Sequence, residues 1–409
     1  MSGVVQRFLR YIRFDTEASE ETKTVPSTPG QLKLGEVLVR ELRELGLVDA
    51  FLSEYGVVYA TLPSNIDSDV PTVGFIAHMD TSPDLSGANV NAQIISNYDG
   101  GDIVLNEELN VVLSPREFPF LKQYIGEDLI TADGTTLLGA DDKAGIAEIM
   151  AAMEYLIKHP EVPHGTIHIA FTPDEEIGAG VDHFDVDAFG ADFAYTVDGG
   201  MVGEFAYETF NAAEAKVRVQ GLSVHPGTAK GVMINSILIA EDFINALPTD
   251  ETPATTEGYE GFYHLTNISG NVEETVLTYI IRDFNNDGFA KRKQFVLYVA
   301  SRLNAKHGTG TFEVQLRDQY PNMREKIEPV YHIVEIALKA IEAAGVEPVV
   351  KPVRGGTDGS RLSHMGLPTP NLFTGGHNAH GKFEFIPTFA MEKAVEVILN
   401  IIGLSAAEL

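Results

Sequence analysis

The sequence contains no cysteine. That excludes a disulfide framework, a thiolate nucleophile and a cysteine zinc finger, and it suits a reducing compartment, so a cytoplasmic protein is expected. Positive charge is scarce: 29 lysines and arginines stand against 59 aspartates and glutamates, a formal net charge of −30. So acidic a surface opposes nucleic acid and anionic membranes as partners, and it favours solubility and cation uptake. No apolar run approaches the roughly 18–20 residues needed to cross a bilayer. Residues 1–8 lack the basic region and long apolar region of a signal peptide.

What is present is ample core material. Apolar residues make up 44% of a 409-residue chain, too long for one ordinary core, so two domains are expected. The most unusual stretch is Leu137-Leu138-Gly139-Ala140-Asp141-Asp142-Lys143-Ala144-Gly145. Two adjacent carboxylates lead into an apolar run of helical period through Ile146, Ile149, Met150 and Met153. Like charges this close raise each other's pKa, a cost that a bound divalent cation removes. Asp also caps helix N-termini, so the stretch alone leaves a cap and a metal site both open.

Its company favours the metal. Residues 73–77 form a short continuous apolar run, the mark of a strand buried on both faces, and it delivers His78 and Asp80. Their two-residue spacing puts both side chains on one side of an extended chain. The strand expected at 166–172 runs into Asp174-Glu175-Glu176, and that at 191–197 ends in Asp198. A further strand, 370–373, feeds His377 and His380. In an open α/β sheet, ligands bind outside the carboxyl ends of the strands, so these acids and imidazoles should converge on one edge.

The remaining pattern gives the organisation. Helices are expected at 1–15, from Pro29 to Gly46, after Asp142 as far as His159, over 324–344 and over 391–402. A β-rich excursion spans 81–134, and a strand is expected at 346–353 before the Gly-rich loop 354–360. That loop lacks nucleotide-binding glycine spacing. From about 211 the order becomes β-α-β-β-α-β, a split-βαβ sandwich. The expected division is a catalytic domain in two parts, 1–210 and 324–409, with 211–323 inserted. The insert carries His225 and Arg282, either of which suits ordinary surface as well as a substrate contact. The fold class is α/β: a mixed sheet flanked by helices, with an inserted α+β sandwich.

Imidazole and carboxylate without sulfur suit zinc, manganese or cobalt in a catalytic site. Five ligands are too many for one four-coordinate ion with an open position, and they fit two ions sharing a carboxylate and a water. A free carboxylate would accept the water's proton, and another would orient a ligand histidine.

His78-x-Asp80, Gly139-Ala140-Asp141-Asp142-Lys143-Ala144-Gly145, Asp174-Glu175-Glu176-Ile177-Gly178, Val197-Asp198-Gly199-Gly200 and His377-Asn378-Ala379-His380-Gly381-Lys382 occur in this order. In this the chain resembles the M20 metallopeptidases, with their zinc-peptidase-like sheet, and its length and insertion resemble the tripeptide aminopeptidases among them. The resemblance implies two zinc ions per subunit, replaceable by cobalt or manganese. His78 and Asp198 would hold one, Glu176 and His380 the other, and Asp141 would bridge them through a cis peptide to Asp142. Asp80 would orient His78, and Glu175 would be the general base. His225, Arg282 and Arg354 resemble substrate-contacting positions. His377 falls where an aromatic residue is expected. The resemblance further implies a short peptide substrate, no nucleic-acid or membrane partner, and a homodimer through the inserted domain. The alternatives are a dipeptidase, carboxypeptidase or N-acyl-amino-acid amidohydrolase of the family, and outside it a metal-free binding module or a two-metal phosphoesterase.

Overall fold

The computed structural model describes residues 2–407. Contacts divide the chain into two compact units, Met1–Tyr207 with Met323–Lys351 and Thr357–Leu409, and Glu208–Asn322 with Pro352–Gly356.

The first unit is built on an eight-stranded sheet. Its order is Phe51–Leu52, Val58–Leu62, Ile167–Thr172, Val73–His78, Phe193–Gly199, Asn371–Phe373, Glu204–Ala206 and Val349–Val350. The four strands Ile167–Thr172, Val73–His78, Phe193–Gly199 and Asn371–Phe373 run parallel to one another, so their carboxyl ends share one edge. Val73–His78 is buried along its whole length, as a parallel strand covered on both faces should be. The two-residue alternation sends Val73, Phe75 and Ala77 into the larger core, and Ile76 into a second core with Val181, Phe189 and Leu362. The larger core receives Ile149 and Met150 of the helix Ala140–Lys158, Ile336 of His332–Ala343 and Ile398 of Thr388–Ala407.

Ala140–Lys158 presses hard against the sheet. A Cβ added at Gly145 would lie 1.9 Å from the Val197 carbonyl oxygen, so only glycine allows this approach. The excursion 81–134 forms the strands Gln93–Ile95, Ile103–Asn106, Val111–Leu113 and Leu129–Thr131. It packs its own small core around Leu113, Leu121, Tyr124 and Phe385.

Three expectations need correction, each for a local reason. The helix expected over 324–344 is broken into Arg324–Ile327, a 3-10 turn at Glu328–Val330 and His332–Ala343. Pro329 has no N–H to give and its ring obstructs a continuous helix. The strand expected at 346–353 shrinks to Val349–Val350, bracketed by Pro348 and Pro352. The Gly-rich loop ends early: Asp358–His364 is a helix, and Ser360 Oγ accepts the Thr357 N–H at 3.2 Å across its first turn.

In the second unit, Asn211–Gln220, Ser236–Ala246, Phe262–Gly270, Glu274–Asp283, Asn286–His307 and Phe312–Tyr320 follow in β-α-β-β-α-β order. The sheet is antiparallel, with Phe262–Gly270, Glu274–Asp283, Asn211–Gln220 and Phe312–Tyr320 as neighbours. Burial along Glu274–Asp283 alternates residue by residue, the pattern of a sheet covered on one face. The covered face packs Val217, Leu277 and Ile281 on Phe243 and Val296 of the two helices. Among the described residues, no helix is long and apolar enough to cross a membrane.

Candidate metal centre

The carboxyl edge of the parallel strands gathers the acids and imidazoles of the first unit. His78 ends its strand, and Asp198 is the next-to-last residue of Phe193–Gly199. Glu175 and Glu176 open a 3-10 turn just beyond Ile167–Thr172, and His380 stands on the loop after Asn371–Phe373. Asp141 arrives from the side, at the head of Ala140–Lys158, where its peptide bond to Asp142 is cis.

These side chains form two groups that share one member. His78, Asp141 and Asp198 offer ligand atoms within 4.8 Å of one another, and so do Asp141, Glu176 and His380. Asp141 turns one oxygen to each group: Oδ1 is 2.9 Å from His78 Nε2, and Oδ2 is 3.3 Å from His380 Nε2. Asp198 Oδ1 is 3.5 Å from His78 Nε2, and Glu176 Oε2 is 3.0 Å from His380 Nε2.

Electrostatics show how much positive charge this cluster demands. Burial would depress the His78 imidazole, yet the Asp198 charge and bonds to Asp141, Asp198 and Asp80 carry it well above its ordinary range. Bonds to Asp141 and Glu176 raise His380 to about 11. Burial pushes Glu176 up to about 7, with the Asp141 charge adding to it, and pushes Asp198 up to about 6. Glu175 is raised well above the carboxylate range by burial, with Asp198 and Glu176 contributing. Crowded acids that shift this way want a multivalent cation. Glu176 Oε1 and Asp142 Oδ1 are buried without a hydrogen-bond partner, so donor capacity is to spare. The donor set, imidazole nitrogen and carboxylate oxygen, fits a borderline divalent metal.

The surroundings hold these groups in place. Asp80 is fully buried, its Oδ1 is 3.4 Å from His78 Nδ1, and its two oxygens accept the N–H groups of Glu175 and Glu176 at 3.0 Å each. The His78 Nδ1 is also 3.1 Å from the Asp80 carbonyl oxygen. Asp174 accepts from Ser27 N and Gln31 Nε2, at 2.7 Å each, and so ties the Glu175 turn to the start of the helix Pro29–Leu45.

Sequence reasoning missed three buried ionic groups. Glu384 accepts the N–H groups of Leu138, Gly139 and Asp141, and burial lifts its carboxyl to about 7. Asp358 accepts the Thr172 hydroxyl at 2.6 Å and is likewise raised to about 7, chiefly by burial. Lys143 donates to the Phe14 carbonyl at 2.8 Å, and burial brings it down to about 8. Local pattern gives no signal for Glu384, since an acid between Phe383 and Phe385 in an extended segment reads as the opposite, solvent-facing side.

Other candidates lie elsewhere. His377 belongs to neither metal group; it stacks against Phe120 and Phe385, and its Nε2 lies in hydrogen-bond contact with the Tyr124 hydroxyl at 2.6 Å. It is thus an aromatic ring in use, and burial lowers it to about 4. In the second unit, His225 is exposed, with Nδ1 accepting the Gly227 N–H. Arg282 lies over the Tyr320 ring and donates to the carbonyls of Ala213 and Ile281. Arg354 gives its donors to Gly258, Glu260 and Thr256 while stacking over Phe210 and Phe262. In that arrangement Arg354 braces the 256–260 loop, which also explains why Pro352–Gly356 groups with the second unit rather than the first.

A parallel-sheet edge carrying two linked imidazole–carboxylate groups fits a metal-dependent hydrolase of mixed α/β fold. Known proteins carry the assignment further. Residues 131–403 match Peptidase family M20/M25/M40. A peptidase T of Desulfitobacterium hafniense is 66% identical over 408 residues, spanning 100% of this chain and 99% of that protein. Among solved structures, the aminopeptidase PepT of Bacillus cereus aligns with TM-score 0.74 and 25% identity, covering 99% of this chain and 98% of that one. A tripeptidase of Staphylococcus aureus shares the fold, with TM-score 0.78, 24% identity and the same coverage. The chain belongs to peptidase family M20/M25/M40, and it is a metallo-aminopeptidase, a peptide hydrolase.

Proposed function

We propose that the protein releases the N-terminal residue from tripeptides with the help of two zinc ions, for which cobalt or manganese would substitute. The observation that carries the reading is the double engagement of Asp141, one oxygen toward each histidine-containing group. His78 and Asp198 would hold one ion, Glu176 and His380 the other, with Asp141 between them. Each ion would then have three protein ligands and room for water and substrate, as catalytic rather than closed structural sites require. Bound there, the pair would acidify a water and polarise the peptide carbonyl.

The protein's own groups do the rest. Asp80 holds the His78 ring through Nδ1, so that Nε2 faces the acids. Glu175 takes the proton of the attacking water and returns it to the leaving amine, and its burial suits a carboxyl that must both accept and release a proton. Arg282, with His225 beside it in role, contacts the substrate carboxylate, since guanidinium pairs with carboxylate bidentately. Arg354 is a third contact that the family pattern suggests, and its present hydrogen bonds argue for a bracing role. The absence of cysteine supports a cytoplasmic setting, and the second unit, with its open antiparallel edge strand Phe262–Gly270, is the part through which two subunits would pair.

A substrate panel tests the reading. A free tripeptide should lose its N-terminal residue, while its N-acetylated form and the corresponding dipeptide should not. Cleavage of the acetylated peptide would instead make the chain an amidohydrolase or carboxypeptidase of the family, and cleavage of the dipeptide alone a dipeptidase.

A further inference from the structure

Glu384 is 2% exposed, and a carboxylate so deep in the protein is costly unless its oxygens are satisfied. Here they are satisfied by main chain alone. Oε2 accepts the N–H groups of Leu138 at 2.6 Å and Gly139 at 2.7 Å, and Oε1 accepts that of Asp141 at 3.0 Å. Gly139 has φ 82°, a left-handed bend just before Asp141. The carboxylate therefore grips the bend from which the shared ligand projects.

The other end of the same grip is the loop that bears His380. His377 and Phe385 close that loop with paired main-chain bonds, N–H to carbonyl at 2.9 and 3.1 Å, and Glu384 N–H bonds to the Gly381 carbonyl at 3.1 Å. Glu384 is four residues beyond His380 on this closed loop. Its side chain is thus a short strut from the His380 loop to the backbone of Asp141, and His380 Nε2 stands 3.3 Å from Asp141 Oδ2. Charge-assisted bonds to N–H groups are the strong kind, and three on one carboxylate leave little play.

We infer that Glu384 is a positioning residue that fixes the spacing of Asp141 and His380, and so sets the affinity of the cation site made by Asp141, Glu176 and His380. The inference rests on the two-metal reading above. A residue that only filled space here would be apolar. A residue that only stabilised the fold would leave metal affinity unchanged when altered.

Glu384→Gln separates these cases. The amide oxygen still accepts from Leu138 and Gly139, but the amide nitrogen then meets the Asp141 N–H donor to donor. Chelator-stripped wild type and variant are titrated with zinc in competition with a chromophoric chelator. Wild type should take up two equivalents. In the variant, the dissociation constant of one equivalent should rise about 10- to 100-fold, the scale typical of groups that orient ligands, with the other changing less. Two constants within about twofold of wild type in a folded variant would overturn the inference and leave the metal reading standing. A wild type that binds no zinc would overturn the metal reading itself. If Glu384→Gln does not fold, hydrogen exchange on the metal-free wild type decides. Slow exchange at Leu138, Gly139 and Asp141 is expected, and exchange at the unprotected rate would overturn the strut.

Discussion

Asp80 Oδ1 lies 3.4 Å from His78 Nδ1 and accepts the Glu175 N–H at 3.0 Å. One buried carboxylate thereby contacts both a proposed ligand of the first group and the turn that holds the proposed base. Replacing Asp80 with Ala should therefore harm both functions at once. Zinc affinity should fall about 10- to 100-fold, and kcat should drop even at saturating metal. Competitive titration and steady-state kinetics on one preparation check this; unchanged affinity with unchanged kcat would contradict it.

Glu175 belongs to neither of the two candidate metal groups, so its loss should spare the metals. We expect Glu175→Ala to bind zinc like wild type and to lose about 10²- to 10⁴-fold in kcat, the usual worth of a general base. Turnover near the wild-type level would remove Glu175 from that role.

Arg282 donates to two carbonyls through Nη1, and a guanidinium has further N–H groups with which the proposed carboxylate contact would be made. Arg282→Ala should raise KM for tripeptides about 10- to 100-fold, as expected for a charge-assisted hydrogen bond worth about 1.5–3 kcal/mol. The effect should shrink for C-amidated tripeptides. A KM unaffected by the substitution would end the carboxylate-contact proposal.

His377 makes a prediction about acid stability. Burial holds its imidazole down to about 4, whereas the unfolded chain takes the proton near 6.5. As the pH falls through that window only the unfolded state gains a proton. The stability is therefore complete above about pH 6.5 and lost by about pH 4, a change of about 3 kcal/mol. His377→Phe keeps a ring against Phe120 and Phe385 but gives up the Tyr124 bond. It should be less stable by about 1 kcal/mol at neutral pH, with a flatter decline between pH 6.5 and 4. Denaturant midpoints of the metal-free proteins measure this, and parallel declines would contradict it.

The site was legible in the sequence where chemistry is local to a strand end. His78 with Asp80, Glu175 with Glu176, and Asp198 each follow an apolar run that can only be a buried strand, and the parallel sheet then brings them together. The partners that hold them were less legible, because they act over long separations. Glu384 meets Asp141 across more than two hundred residues, and Asp358 meets Thr172 from inside a Gly-rich segment that reads as loop. Proline decided the element boundaries that pattern alone misjudged. Pro329 divides an apolar helical repeat, and Pro348 with Pro352 confines a β-branched run to two residues. His377 and His380 part in space: three residues apart in sequence, one stacks on phenylalanines while the other faces Asp141 and Glu176.

The central claim is that peptide hydrolysis depends on two cations held by five side chains of the first unit. Its most direct test is activity toward one unblocked tripeptide during stepwise zinc addition to the chelator-stripped protein. The account predicts no turnover in the stripped protein, and release of the N-terminal residue restored by zinc, reaching its plateau at about two bound equivalents per chain. Full activity in the stripped protein, or zinc bound without any hydrolysis of the tripeptide, would contradict it.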